Sequence, residues 1–98
     1  MAFADAQQID TARDSGLNPV RALSAQADGE TLYRTGLAYS VGTGVDADPV
    51  AAHKWFNLAA MKGHEQAKAR RQELAELMSE AELRAAQKAA RQWLRLMN

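Results

Sequence analysis

Apolar residues recur every three or four positions along most of the chain, and short polar or glycine-containing stretches separate these runs. Such spacing is typical of amphipathic helices, and no stretch shows the strict alternation expected of a half-buried strand. The pattern therefore predicts an all-α chain of about five helices. They fall at about residues 3–14, 30–41, 49–62, 64–78 and 79–97.

Two glycines and two aspartates separate the second and third predicted helices, in the segment YSVGTGVDADP. A ligand-binding loop is one interpretation and a turn is the other. Nucleotide-binding loops need further glycines and a preceding strand, and a calcium loop needs more oxygen ligands at set positions. We favour a turn in which Gly42 ends one helix, Gly44 lets the chain turn, and Asp48 caps a helix that begins at Pro49.

Composition narrows the classes of function. The 98 residues suffice for one domain, and twelve acidic residues balance twelve Lys and Arg. This balance argues against the dominant electrostatics of general nucleic-acid binders. The absence of cysteine excludes disulfide scaffolds, thiolate zinc sites and thiol nucleophiles. The sequence shows neither a secretory signal nor a run of transmembrane length, so it predicts a cytoplasmic protein.

No group of residues has the spacing of a metal site or a catalytic site. His53 and His64 are the only histidines, and a metal site would need further ligands near them. We expect His53 on an exposed face beside Lys54 and His64 at a corner between helices. The sequence therefore predicts no catalytic residue, no cofactor and no metal, and hence a protein that is not an enzyme.

A set of small and aromatic residues carries a resemblance to a known family. These residues are Gly36, Tyr39, Gly42, Gly44, Val45, Asp48, Ala52, Trp55, Phe56, Ala59, Ala60, Gly63, His64 and Ala67. Over about residues 31–66 the chain resembles a Sel1-like repeat, a relative of the tetratricopeptide repeat with an extended glycine-containing turn. The resemblance implies antiparallel helix pairs of an α-solenoid. It also implies a noncatalytic adaptor or scaffold for protein–protein interaction, as found frequently in bacterial signalling and envelope processes.

The resemblance also suggests how the chain is organised. We predict a single domain made of an N-terminal helical segment and linker at 1–28, a Sel1-like repeat at 29–66, and a degenerate second repeat at 67–98. The last helix of that second repeat would cap the stack, because solenoid repeats expose apolar faces unless they are capped. Within the repeat we assign Phe56 to the contact between paired helices and Trp55 to the junction with the next repeat.

Helical periodicity suggests a partner-binding groove. If one side of the second helix faces its paired helix, then Tyr33, Leu37 and Ser40 form an adjacent exposed strip. Three residues of the next repeat-like helix would continue that strip, namely Ala69, Glu73 and Glu76. We expect this groove to bind a peptide or helix of a protein partner. Two alternatives stay open, because the N-terminal segment could occupy the groove or the chain could associate with itself.

The last predicted helix has a basic stripe. Arg84, Lys88, Arg91 and Arg95 recur at steps of four, three and four residues. Such a stripe could contact nucleic acid or an anionic membrane, although a solvated face is the commoner explanation. Trp93 lies on the apolar side of the same helix, so we expect it to pack in the core rather than to stack on a base.

Overall fold

Four α-helices account for most of the part of the chain that can be described. The computed structural model describes residues 27–97, with helices α1 Gly29–Val41, α2 Pro49–Met61, α3 Glu65–Ala75 and α4 Glu80–Met97. No strand occurs within that range. The all-α class is therefore confirmed there. The helix predicted at residues 3–14 lies outside the described residues, so the count of five helices and the solenoid architecture stay predictions.

The turn between α1 and α2 is built as the sequence predicted. Gly42 ends α1 with φ 81°, and its N–H donates to the Ala38 carbonyl at 2.7 Å. The Asp48 side chain then accepts the free N–H groups of Val50 and Ala51 at 3.0 and 3.2 Å, which caps α2 immediately before Pro49. Every polar group in these contacts serves a helix end, as expected of a connecting turn.

Close approach of α1 and α2 depends on one glycine. A Cβ atom at Gly36 would lie 2.5 Å from Cδ1 of Phe56, far inside normal contact distance. The ring of Phe56 occupies that space and is only 1% exposed. Phe56 therefore fills the contact between the paired helices, as the sequence predicted.

Helix α2 is the centre of the structure, because it packs against α1, α3 and α4. Its buried side chains point in several directions, so little of its surface is left for solvent. They are Ala52, His53, Trp55, Phe56, Leu58 and Ala59. A helix covered on three sides gives α1, α3 and α4 a common base and fixes where each of them lies.

Helix α3 contributes little apolar surface to the core. Ala67 is its single buried residue, although Leu74 packs partly against the core. Polar contacts add to the attachment, since Arg71 Nη1 donates to Asn57 Oδ1 of α2 at 2.8 Å. The helix ends at Ala75, three residues earlier than the apolar spacing through Met78 predicted, and the chain turns before α4.

Helix α4 begins with the predicted capping box. The N–H of Glu82 donates to Ser79 Oγ at 3.1 Å, and the N–H of Ser79 donates to Glu82 Oε1 at 2.9 Å. Ala86 and Ala90 are buried on the side that faces α2. Trp93 meets Trp55 edge to face, with ring centroids 4.9 Å apart. Trp93 thus packs against the core, and Trp55 contacts the segment that follows the repeat.

Candidate interaction groove

A shallow groove lies between α1 and α3, with an edge of α2 beneath it. We call it the α1–α3 groove. Its lining residues are Ser40 from α1, Phe56 from α2, Arg70, Glu73 and Leu74 from α3, and Leu77 just after α3. Leu74 is half-buried, whereas Leu77 is 85% exposed. An apolar side chain so fully in solvent beside a concave surface is available for burial by another molecule.

The structure brings some of the predicted groove residues together. Ser40 and Glu73, which lie 33 positions apart in sequence, both line the α1–α3 groove. Leu37 is half-buried and lines a neighbouring depression on α1 with Val41, which is 70% exposed. Ala69 and Glu76 are exposed on and after α3 without lining either depression. The predicted strip therefore becomes a groove with a second shallow depression beside it.

Tyr33 does not lie on an exposed strip. Its side chain is 8% exposed, and its ring stacks on His64 at a centroid distance of 4.3 Å. The ring of Phe56 lies 5.9 Å away on the other helix. The expectation of an exposed Tyr33 was wrong, because His64, at the corner before α3, stacks on its ring and Phe56 of α2 lies close to it. Tyr33 supports the groove region from within the core.

His64 holds the corner between helices through both ring nitrogens. Nδ1 accepts the N–H of Ala67 at 3.1 Å, which caps the start of α3. The neutral ring then carries its proton on Nε2, which donates to Glu30 Oε1 of α1 at 2.9 Å. This contact, followed by that of Arg34, holds the pKa of Glu30 below its ordinary value. His64 therefore joins α1 to the first turn of α3, at the corner where the sequence placed it.

His53 is buried, so its predicted place on an exposed face was wrong. It is 4% exposed on α2, and its Nδ1 has no hydrogen-bond partner. Burial lowers the pKa of the His53 imidazole, and the positive charge of Arg71 lowers it further. The misplacement has a simple cause. Several helices cover α2, so residues on its flank are enclosed as well as those facing α1.

Lys54, which follows His53 in sequence, is only half-buried and lies over an aromatic surface. Its Nζ is 4.1 Å from the centroid of the Trp55 ring and 5.6 Å from that of Trp93. Burial lowers the pKa of this ammonium group. The cation–π contact covers the junction where α4 docks on α2.

Apart from Phe56, which was assigned to the contact between paired helices, three lining residues were not assigned to the groove from the sequence, namely Arg70, Leu74 and Leu77. The signal for the two leucines was present, since they lie three residues apart and share one side of a helix. Their spacing also fits a buried stripe, however, and periodicity alone does not separate the two cases. In the structure α3 ends at Ala75, so Leu77 lies outside the helix and is exposed rather than part of a buried stripe.

The basic stripe of α4 is a solvent-facing surface. Arg84, Lys88, Arg91 and Arg95 are all exposed. Arg84 also lies 3.7 Å from Glu80, one turn earlier on the same helix. From residue 83 to residue 98 the chain has no Asp or Glu, so the outer face of α4 carries a concentrated positive charge.

The described part of the chain also lacks a metal-ligand cluster and a membrane-spanning helix. Among residues 27–97, no three His, Asp or Glu side chains lie close enough together to hold a metal ion. None of the four helices there combines the length and apolar character needed to cross a bilayer.

Residues 29–64 match the family model described as Sel1 repeat. These residues coincide with α1, the glycine-containing turn, α2 and the corner at His64. This match confirms the predicted Sel1-like repeat for residues 29–64. Sel1 repeats generally mediate protein–protein interaction and are typically noncatalytic. No curated protein matches the chain significantly.

Proposed function

We propose that this chain is an adaptor whose α1–α3 groove binds a peptide or a helix of a protein partner. The observation that carries the proposal is Leu77, an 85% exposed apolar side chain beside the half-buried Leu74. A partner's apolar side chain that covers both leucines would remove apolar surface from water at about 25 cal/mol per Å². Ser40 and Glu73 flank the same groove and offer a hydroxyl and a carboxylate to polar groups of the partner.

The proposed contact surface keeps five of the six predicted residues and adds three. Leu37, Ser40, Ala69, Glu73 and Glu76 remain as proposed contacts, because each is exposed or half-buried. Arg70, Leu74 and Leu77 join them. Tyr33 shapes the surface from below, since its ring lies in the stack with His64.

Side-chain exposure determines which variants can test the groove without unfolding the protein. Tyr33→Ala would remove a buried ring, so a loss of binding would report folding rather than contact. Leu77→Ser changes an exposed side chain and should leave stability within about 0.5 kcal/mol. Met61→Ser is a matched control, because Met61 is also apolar and 60% exposed but lies at the end of α2, outside the groove.

The experiment begins with affinity capture using the intact chain, followed by calorimetric titration of the purified captured protein. We expect Leu77→Ser to weaken that affinity about tenfold or more and Met61→Ser to change it little. Amide shifts at Ser40 and Leu77 on titration would locate the contact. Equal affinities for the two variants, with no shifts in the groove, would refute the proposed site.

A second candidate function rests on the basic stripe of α4. Four exposed cations along one helix face, in a segment without acidic residues, could neutralise a row of nucleic-acid phosphates. Nucleic acid suits this face better than a bilayer, because Leu96 is the one largely exposed leucine of the described part of α4. The groove remains the better-supported site, since it offers an apolar anchor as well as charge.

Salt dependence tests this candidate. If α4 binds DNA, anisotropy of a labelled duplex should show affinity that falls steeply with salt, with a slope that decreases when the four basic residues become glutamine. The double variant Lys62→Gln, Lys68→Gln is the control, because both lysines are exposed and lie outside α4. Binding to anionic vesicles but not to DNA would reject the nucleic-acid version, and an unchanged slope would reject the role of α4.

A further inference from the structure

Charge is distributed unevenly along a chain whose net charge is zero. Residues 27–82 contain nine Asp and Glu against six Lys and Arg, a net charge of −3, whereas residues 83–98 contain four Lys and Arg and no acid. Glu73 lines the α1–α3 groove, and Glu76 is exposed close to it in sequence. Residues 27–82 and residues 83–98 therefore carry opposite net charges, which favours contact between molecules.

The far end of α4 presents an exposed apolar side chain beside a cation. Leu96 is 78% exposed, and it shares a surface depression with Gln92 and Arg95. An apolar side chain next to a cation matches a groove that offers the two leucines beside Glu73. Because Leu96 is exposed in its own molecule, it does not occupy the groove of that molecule.

We propose that Arg95 and Leu96 of one copy bind in the α1–α3 groove of a second copy, with Leu96 against Leu74 and Leu77, and Arg95 near Glu73. This inference rests on the proposed function and names a second copy as one occupant of that groove. The two surfaces differ, so the contact is head to tail. Each added copy again presents one free groove and one free helix end, and the contact can extend into chains or close into rings.

Arg70 gives the proposal an internal check. It is the one cation among the residues that line the groove, and it is exposed. It repels an incoming Arg95, whereas Glu73 attracts it. Arg70→Gln should therefore strengthen self-association, and Glu73→Gln should weaken it, each by a few-fold at low salt. Non-specific apolar aggregation would not change in opposite directions in these two variants.

The main experiment measures solution mass by analytical ultracentrifugation at increasing concentrations of the 98-residue chain at low salt. We expect the average mass to rise above the monomer mass of 10.7 kDa. Leu77→Ser removes the acceptor surface and Leu96→Ser removes the donor surface. Each should weaken association about tenfold or more, while Met61→Ser behaves as the wild type. Circular dichroism of each variant verifies that the fold is retained.

Mixing the two variants provides the decisive measurement. Leu77→Ser keeps an intact helix end and Leu96→Ser keeps an intact groove, so an equal mixture should form a dimer and nothing larger. A wild-type chain that remains monomeric, or a mixture that fails to form the dimer, would overturn the inference. The adaptor proposal would survive that result if Leu77→Ser still lost affinity for a captured partner, so the two failures are distinguishable.

Discussion

The α1–α2 pair and helix α3 are attached to the molecule by different kinds of contact. Between α1 and α2, a glycine admits an aromatic ring that is almost fully buried. Helix α3 instead buries a single alanine and is also fixed by a histidine cap and an Arg71–Asn57 hydrogen bond. Apolar burial contributes more than such partly buried polar contacts. The pair should therefore provide most of the stability, while α3 presents a surface that can vary.

The largest expected effect comes from removing the ring at the centre of the pair. Phe56→Ala should destabilise the fold by about 3–5 kcal/mol, because it deletes a fully buried aromatic side chain. Leu74→Ala on α3 should cost less, at about 1–2 kcal/mol, since that leucine is only half-buried. Urea unfolding followed by circular dichroism measures both. Equal losses would show that α3 is as much a part of the core as the pair is.

Crowding at Gly36 should have the next largest effect. Gly36→Ala places a Cβ atom 2.5 Å from the buried Phe56 ring, and the resulting overpacking should cost about 1–3 kcal/mol. Thermal unfolding measures the loss. Gly63→Ala is the control, because Gly63 has φ 90° and no atom within 4 Å of an added Cβ, so only backbone strain results.

A second substitution separates side-chain crowding from backbone strain. Phe56→Leu shortens the side chain that Gly36→Ala would strike, so the double variant should lose less stability than the sum of the two single losses. No such interaction is expected between Phe56→Leu and Gly63→Ala. Additive losses at Gly36 and Phe56 would contradict the close contact.

The smallest effect is a pH dependence at the side of α2 where His53 is buried. The folded state disfavours protonated His53, whereas the unfolded chain accepts a proton near the ordinary pKa of 6.5. The unfolded state therefore binds more protons as the pH falls below about 6.5, and stability decreases. Urea midpoints at pH 7.5 and 5.5 should differ more for the wild type than for His53→Leu. An identical difference in the two proteins would exclude His53 as the cause.

The helix ends could be predicted from sequence because local chemistry defines them. Gly42, Asp48 and the Ser79–Glu82 capping box each act within a few residues of their own position. The groove could be predicted only in part. Periodicity tells which residues share a face, as for Ser40 and its neighbours, but it does not tell which later helix covers that face. Tyr33 and His53 were misplaced for this reason.

The edge-to-face contact of Trp55 and Trp93 allows the docking of α4 to be followed by spectroscopy. These are the two tryptophans of the whole chain, and their ring centroids lie 4.9 Å apart. At such a separation the electronic transitions of two indoles couple, and the nearby ammonium group of Lys54 perturbs them further. Undocking of the terminal helix would separate the chromophores and change the near-ultraviolet spectrum. The near-ultraviolet spectrum therefore reports whether α4 is docked, and no added label is needed.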